Sequence, residues 1–431
     1  GAAAAAISGI GGGSRRSGRR RHRGSGGGLR RAVLSVLAAV VLLAVAVVVV
    51  VGVQVSRAVP APVSSVAAPP SMALPGSAPA LPWPAQGEAS LAVAGVGAVG
   101  SSGGSAPLPI ASLAKMMTAL VILSDHPLSG AQQGPSLTIT AADAAAYQAD
   151  VAQQDSVAAV VAGETLTERQ ALEALLIPSA DNIAVVLAGW DAGSVSAFVA
   201  KMNAQASRLR LAHTHYADTS GLSPQTTSDA SDQVLVAQRL MANPVLASIV
   251  AEPQVDLPVA GVVYNYDYDL GKDGIVGVKT GSDGPAGGCF VFAAHQKVAG
   301  QQRMVYGAVL GQHSGSSPVQ KALDESLQLV TSAGHAFTRS QVLAAGTVVG
   351  HVRSRWGASV PLVTASGASF LGRPGQSATA TFHGYPLSRS VASGTEAGRL
   401  VVRLGSQVTS VPVRTRGALA GPTLRWRLTR T

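Results

Sequence analysis

The sequence predicts an α+β fold, preceded by one transmembrane helix and followed by a small β-rich domain. Three observations predict it. A charge-free run of 22 residues, Ala32–Val53, follows an Arg-rich start. Between residues 88 and 338, apolar residues recur at helical spacing in some segments and alternate at strand spacing in others. Beyond residue 339, short apolar runs are separated by Gly, Ser and Pro at the spacing of a small all-β module.

Residues 1–31 are Gly-rich and carry eight Arg and no acid, so they are expected to be a disordered, basic, cytoplasmic arm. Residues 32–53 exceed the ~20 apolar residues a helix needs to cross a bilayer. They also exceed the ~7–15-residue apolar core of a cleaved signal peptide. An uncleaved anchor in the cell membrane is expected. The Arg excess before it, against the single Arg57 after it, puts the N-terminus in the cytoplasm and the remainder outside. Residues 54–87 are rich in Pro and Ala and read as an extended linker.

In the body, residues 88–338, "ASLAVAGVGAV" suggests a strand and 112–124 a buried helix. "TERQALEALLI" (167–177) has helical spacing of Leu172, Leu175 and Leu176, with Thr167 as its cap. "VSAFVAKMNAQASRLRL" (195–211) and "PVQKALDESLQLVTSAG" (318–334) are further helices. "CFVFAAHQKV" and "RMVYGAVLG", joined by "AGQQ", form an antiparallel hairpin. In residues 339–431, strand signals lie in "GTVVGHV", "SVPLVTA", "SATATFH", "GRLVVRL" and "VTSVPVR".

Charge and cysteine exclude some functions. The net charge of +10 divides into +8 on residues 1–31, −9 on 32–338 and +11 on 339–431. No uniform basic face results, and no nucleic-acid partner is expected. The basic tail is expected to meet anionic wall polymer or lipid headgroups. Cys289 is the only cysteine, which excludes an internal disulfide and a multi-thiolate zinc site. His213 and His215 lie two apart, in no recognised metal-ligand spacing.

The chemistry is concentrated in three places. Ser112 and Lys115 stand at i and i+3, so on a helix they share a face, and a neutral amine there can take the hydroxyl proton. Ser179, Asp181 and Asn182 interrupt the apolar stretch "LLIPSADNIAVVLAG". A helix cap would account for that interruption locally. Lys279, Thr280 and Gly281 lie on an expected strand, where a cation and a hydroxyl beside a bare backbone suit a substrate carboxylate. S-x-x-K, S-A-D-N and K-T-G occur in the order found in penicillin-binding proteins and class A β-lactamases.

With these motifs, the segments "ASLAKMMTAL", "AGETLTERQALEALLIPSADNIAVVLA" and "GIVGVKTGSDGPAGGCFVFAA" resemble low-molecular-weight penicillin-binding proteins, the serine D-alanyl-D-alanine carboxypeptidases. The resemblance covers about residues 88–338. "HTHYADTSGLSP" (213–224) shares it, and the tail more faintly resembles the β-rich C-terminal domain of some members. It implies a β-lactamase/transpeptidase-like domain, an antiparallel sheet with helices on both faces. It further implies that Ser112 attacks a peptidoglycan stem peptide ending in D-Ala-D-Ala, with Lys115 as base. The N–H groups of Ser112 and Ser282 would hold the oxyanion, and Ser179 would relay a proton to the departing D-Ala. Lys279 and Thr280, beside Gly281, would hold its carboxylate. No metal or organic cofactor is implied, and β-lactams would acylate the same serine.

One residue departs from the family's S-x-N motif: Asp181 stands where the family has Asn. An ionised Asp only accepts hydrogen bonds, and beside Lys115 it favours the charged ammonium. Asn182 lies one helical step of about 100° away and does not replace it. A second reading therefore stays open, a catalytically impaired homologue that binds cell wall or acts as a regulator. A β-lactamase is disfavoured, because Glu252 is the only Glu between 183 and 278 and lacks the E-x-x-L-N context. Carboxypeptidase and endopeptidase action are not distinguished.

Overall fold

The computed structural model describes residues 27–67, 72–314 and 317–431. Most of the expected basic arm lies outside these residues. Helix α1 (Gly27–Ser56) contains the charge-free run, and its most apolar 18 residues have a mean hydropathy of 3.3. Its Val and Leu side chains are exposed on every side. A helix whose apolar stretch is exposed on every side is long and apolar enough to cross a membrane.

The body is built on a five-stranded antiparallel sheet. In spatial order its strands are Ile275–Asp283, Gly287–Val298, Gln301–Gln312, Glu88–Val93 and Gly97–Ser102. One face carries α2 (Ala114–Asp125), α3 (Ala141–Gln153), α4 (Glu168–Leu176), α5 (Asp181–Ala192), α6 (Val195–Arg208), α7 (Ala230–Met241) and α8 (Pro244–Val250). The other carries α9 (Pro318–Ala333). Strand alternation divides the two cores. Phe290, Phe292 and Ala294 join Leu323, Leu329 and Val330 of α9, while Val291 and Ala293 join the cluster around α2 and α7. The expected α+β fold with helices on both sheet faces is observed.

Helix α2 is buried at every residue from Ala114 to Leu123, so Lys115 and Thr118 are carried into the core by their apolar neighbours. Thr167 caps α4 as expected, in a reciprocal capping box with Gln170. Two local expectations need correction. "ASLAVAGVGAV" is two strands, not one, because the chain turns back through Gly95 (φ +73°). The late hairpin is tighter than "AGQQ" implied: Val298 pairs with Gln301, leaving Ala299 and Gly300 as the turn, both at positive φ.

A second antiparallel sheet has the order Val63–Val66, Val348–Arg353, Ser359–Thr364, Gln407–Thr415, Glu396–Leu404, Thr379–Gly384. It contains all five strand signals read in the tail. Its first strand corrects the extended-spacer reading of residues 54–87. Val63–Val66 pairs along Gly350–Arg353 at the sheet edge, and Met72 and Leu74 are buried in that sheet's core. Prolines suit an edge, where missing N–H groups cost no ladder bond, and the intervening apolar residues suffice to dock. Helix α10 (Leu424–Thr429) follows the last strand and meets the end of α1: Arg430 donates to the carbonyls of Gln54 and Arg57.

Candidate active site

Ser112 lies in a 3₁₀ turn, Ala111–Leu113, that runs straight into α2. Ala111 is at φ +45°, a left-handed conformation for a residue with a side chain. The turn is held in place by two bare backbones. A Cβ on Gly221 would lie 1.8 Å from the Ala111 carbonyl oxygen, and one on Gly281 would lie 3.1 Å from the Ser112 nitrogen. Glycine at both positions lets "TSGL" and the Ile275–Asp283 strand close on the serine from two sides.

Lys115 is completely buried, and its Nζ has three acceptors. It donates to Ser112 Oγ at 2.7 Å, Asp181 Oδ1 at 2.6 Å and the Ser220 carbonyl at 3.2 Å. Burial holds the Lys115 ammonium below its ordinary value, and the charge and hydrogen bond of Asp181 oppose that depression. The expectation that Asp181 favours the charged form is correct in sign, but desolvation is the larger effect.

Asp181 begins α5, and no side chain caps that helix. The local capping explanation of the Ser179–Asn182 interruption therefore fails. Instead Asp181 N–H donates to the Ser156 carbonyl at 2.7 Å, which aims the carboxylate at Lys115. Asn182 points elsewhere, its amide paired with both the N–H and the carbonyl of Ala158. Ser179 is at φ +63° and 3% exposed, and its Oγ has no hydrogen-bond partner among the described residues.

Lys279 and Thr280 are buried on the strand, and Lys279 Nζ donates to the Thr280 carbonyl at 3.0 Å. Burial, reinforced by the charge of Lys115, lowers Lys279 to about 7, against the opposing charges of Asp181 and Asp267. Ser112, Ser179, Thr280, Gly281 and Ser282 line one cleft of about 270 Å³. All eight residues read from the sequence thus converge, with Lys115, Asp181 and Lys279 buried in the surrounding wall.

Sequence reasoning missed others. Ser156, Tyr266 and Tyr268 also line the cleft, from loops without a motif. Asp218 accepts from the N–H groups of Gly221 and Leu222 and so shapes the turn that presents the Ser220 carbonyl to Lys115. An Asp three residues before Gly was the available signal, the signature of a side-chain-closed turn. Among the described residues, one His/Asp group comes close enough to share a cation: His213, Asp229 and Asp232. Its contacts are fastenings, since Asp229 caps α7 and bonds His213 Nδ1 at 2.6 Å, and Asp232 accepts the His213 N–H.

Residues 101–313 match the D-alanyl-D-alanine carboxypeptidase family. The D-alanyl-D-alanine carboxypeptidase DacB2 of Mycobacterium tuberculosis is 35% identical over 210 residues, covering 47% of this chain and 67% of that protein. DacA, a D-alanyl-D-alanine carboxypeptidase of Escherichia coli K12, is 29% identical over 211 residues, 47% of this chain and 49% of its own. Among solved structures, the Streptomyces K15 DD-transpeptidase superposes with a TM-score of 0.51 at 25% identity, covering 61% of this chain and 100% of its own. Penicillin-binding protein 5 of Haemophilus influenzae shares the fold with a TM-score of 0.56, over 80% of this chain and 100% of its own.

Proposed function

Since the chain belongs to the D-alanyl-D-alanine carboxypeptidase family of low-molecular-weight penicillin-binding proteins, we propose that it trims stem peptides ending in D-Ala-D-Ala through an acyl-enzyme on Ser112. The observation that carries this is the 2.7 Å contact between Lys115 Nζ and Ser112 Oγ at the floor of the cleft. Neutral Lys115 takes the hydroxyl proton as Oγ attacks the carbonyl of the penultimate D-Ala. Backbone N–H groups of Ser112 and Ser282 hold the oxyanion, where preorganised donors contribute most. Collapse of the tetrahedral intermediate breaks the amide bond. Ser179, whose hydroxyl has no other partner among the described residues, relays the proton to the leaving amine. Lys279 and Thr280 hold the terminal carboxylate, and water then hydrolyses the ester, returning Ser112 and Lys115 to their starting state.

Helix α1 anchors this body in the cell membrane, with the N-terminal arginines on the cytoplasmic side and the cleft outside. Residues 88–338 act as the catalytic domain, and residues 339–431, with twelve arginines, act as a basic companion domain.

The Lys115–Asp181 pair favours a second reading, a wall-binding homologue whose base is held protonated. Intact mass of the full chain after incubation with penicillin, beside Ser112→Ala, separates the two. An adduct absent from Ser112→Ala supports the enzyme. No adduct on the folded chain, together with an adduct on Asp181→Asn, supports the binding protein.

A further inference from the structure

From Gly261 to Leu270 the chain inverts the usual rule of burial. Successive side chains alternate outward and inward, and the outward ones are Val262, Tyr264, Tyr266 and Tyr268, with the tyrosines 63%, 42% and 58% exposed. Of the inward ones, Val263 packs on the core, and Asn265, Asp267 and Asp269 are polar. Asn265 donates from Nδ2 to the Val250 and Glu252 carbonyls and accepts the Asp267 N–H. Asp267 in turn accepts the Asp269 N–H, and Asp269 accepts from Lys272. This chain of bonds spends the polar groups on fixing the loop and turns the aromatic groups out. In a chain with 4% aromatic residues, three exposed tyrosines at alternate positions are a deliberate concentration.

Two of them face the cleft. Tyr266 and Tyr268 line the same space as Ser112 and Ser179, and their rings meet edge to face at 6.5 Å. The mechanism uses neither. The same space is lined by Thr280 and Gly281, so the rings share it with the end of the strand that carries Lys279. Thr280 is, with Lys279, the proposed anchor of the substrate's terminal carboxylate, and it lines this space together with the two rings.

We propose that Tyr266 and Tyr268 form the wall of the subsite for the residue released, packing on its side chain and restricting it to a small D-amino acid. This rests on the acyl-enzyme reading for its orientation. A rigid aromatic pair excludes volume beyond a methyl group and offers an apolar face to the methyl itself, while Lys279 and Thr280 fix the carboxylate. Pockets of this kind discriminate by about 10- to 200-fold per methylene-sized change.

The test measures peptide binding to the full chain carrying Ser112→Ala, by titration calorimetry in detergent. Two acyl-peptides are compared that differ only at the last residue, D-Ala or D-Leu. The parent is expected to bind the D-Ala peptide at least ~10-fold more tightly. Tyr266→Ala or Tyr268→Ala should bring the two peptides within ~3-fold of one another, and the corresponding Phe variants should keep the discrimination. Unchanged discrimination in both Ala variants, or equal weakening of both peptides, overturns the proposal. Equal loss in the Phe and Ala variants also overturns it, because the ring would then not be the wall. Failure of the underlying reading is seen separately, as absence of a penicillin adduct on Ser112 of the wild-type chain.

Discussion

Lys115 is where two opposing electrostatic effects meet. Complete burial lowers its affinity for a proton, and Asp181 at 2.6 Å raises it. A general base acts only when unprotonated, so acylation falls as pH drops through the value these effects set. Replacing Asp181 with Asn removes the effect that raises this value and leaves the burial. The acid limb of the penicillin-acylation profile should therefore move to lower pH in Asp181→Asn, with faster acylation at mildly acidic pH. Rates of adduct formation across a pH series on both chains check this, and a limb that stays in place or moves upward would show that Asp181 does not tune the base. The neighbouring Asn182 illustrates how local the assignment is, for one residue along the helix the amide is spent on Ala158.

Among the elements, the Ile275–Asp283 strand and helix α4 carry separable predictions. The strand passes Ser112 so closely that Gly281→Ala must displace either the strand or the turn by a few tenths of an ångström. Because ~1 Å of misplacement costs on the order of 10²-fold in rate, acylation of Gly281→Ala should fall by ~10-fold or more. Its melting temperature should stay near wild type, as stopped-flow acylation and calorimetry together would show. Helix α4 begins with Glu168, fully buried and with both carboxyl oxygens unpartnered among the described residues. Burial pushes Glu168 up to about 7, from an ordinary 4.5. A carboxyl whose folded-state value is raised contributes stability below 4.5 that is lost as pH rises through 7. Glu168→Gln should therefore melt near wild type at pH 4.5 and higher than wild type at pH 8, by on the order of 2–3 kcal/mol. Equal melting at both pH values would remove the carboxyl from the account.

At the scale of the molecule, the segment that follows α1 is gripped by the second sheet and the residues around it rather than left as a tether. Arg430 donates to the carbonyls of Gln54, Arg57 and Ala58, Arg389 donates to that of Val59, and Val63–Val66 completes the sheet edge. Trp426 stacks under Arg430 and meets Trp356 edge to face, so the last helix is itself fixed. Arg430→Ala should release this grip. Tryptic cleavage after Arg57 is expected to speed up several-fold while penicillin acylation stays unchanged, and cleavage at the wild-type rate would show the grip to be dispensable. The C-terminal region also reaches the first sheet: Arg373, just after the strand Ala368–Gly372, donates to the Val99 carbonyl on the edge strand Gly97–Ser102, which blunts that edge.

The sequence by itself determined the features that rest on near neighbours along the chain. The apolar run of α1, the cap at Thr167, the helix that pairs Ser112 with Lys115 and the strand signals of the tail depend on periodicity and turn chemistry, which one segment contains in full. Motif order added the three walls of the cleft. Tertiary structure decided what depends on residues far apart. The edge strand Val63–Val66 finds its partner nearly 300 residues later, and nothing in its own Pro-rich context announces one. Tyr266 and Tyr268 stand in no motif, and only the fold brings them to the cleft. The balance at Lys115 required the depth of α2 in the core, because desolvation belongs to the surroundings of a charge and is not carried by its neighbours in sequence.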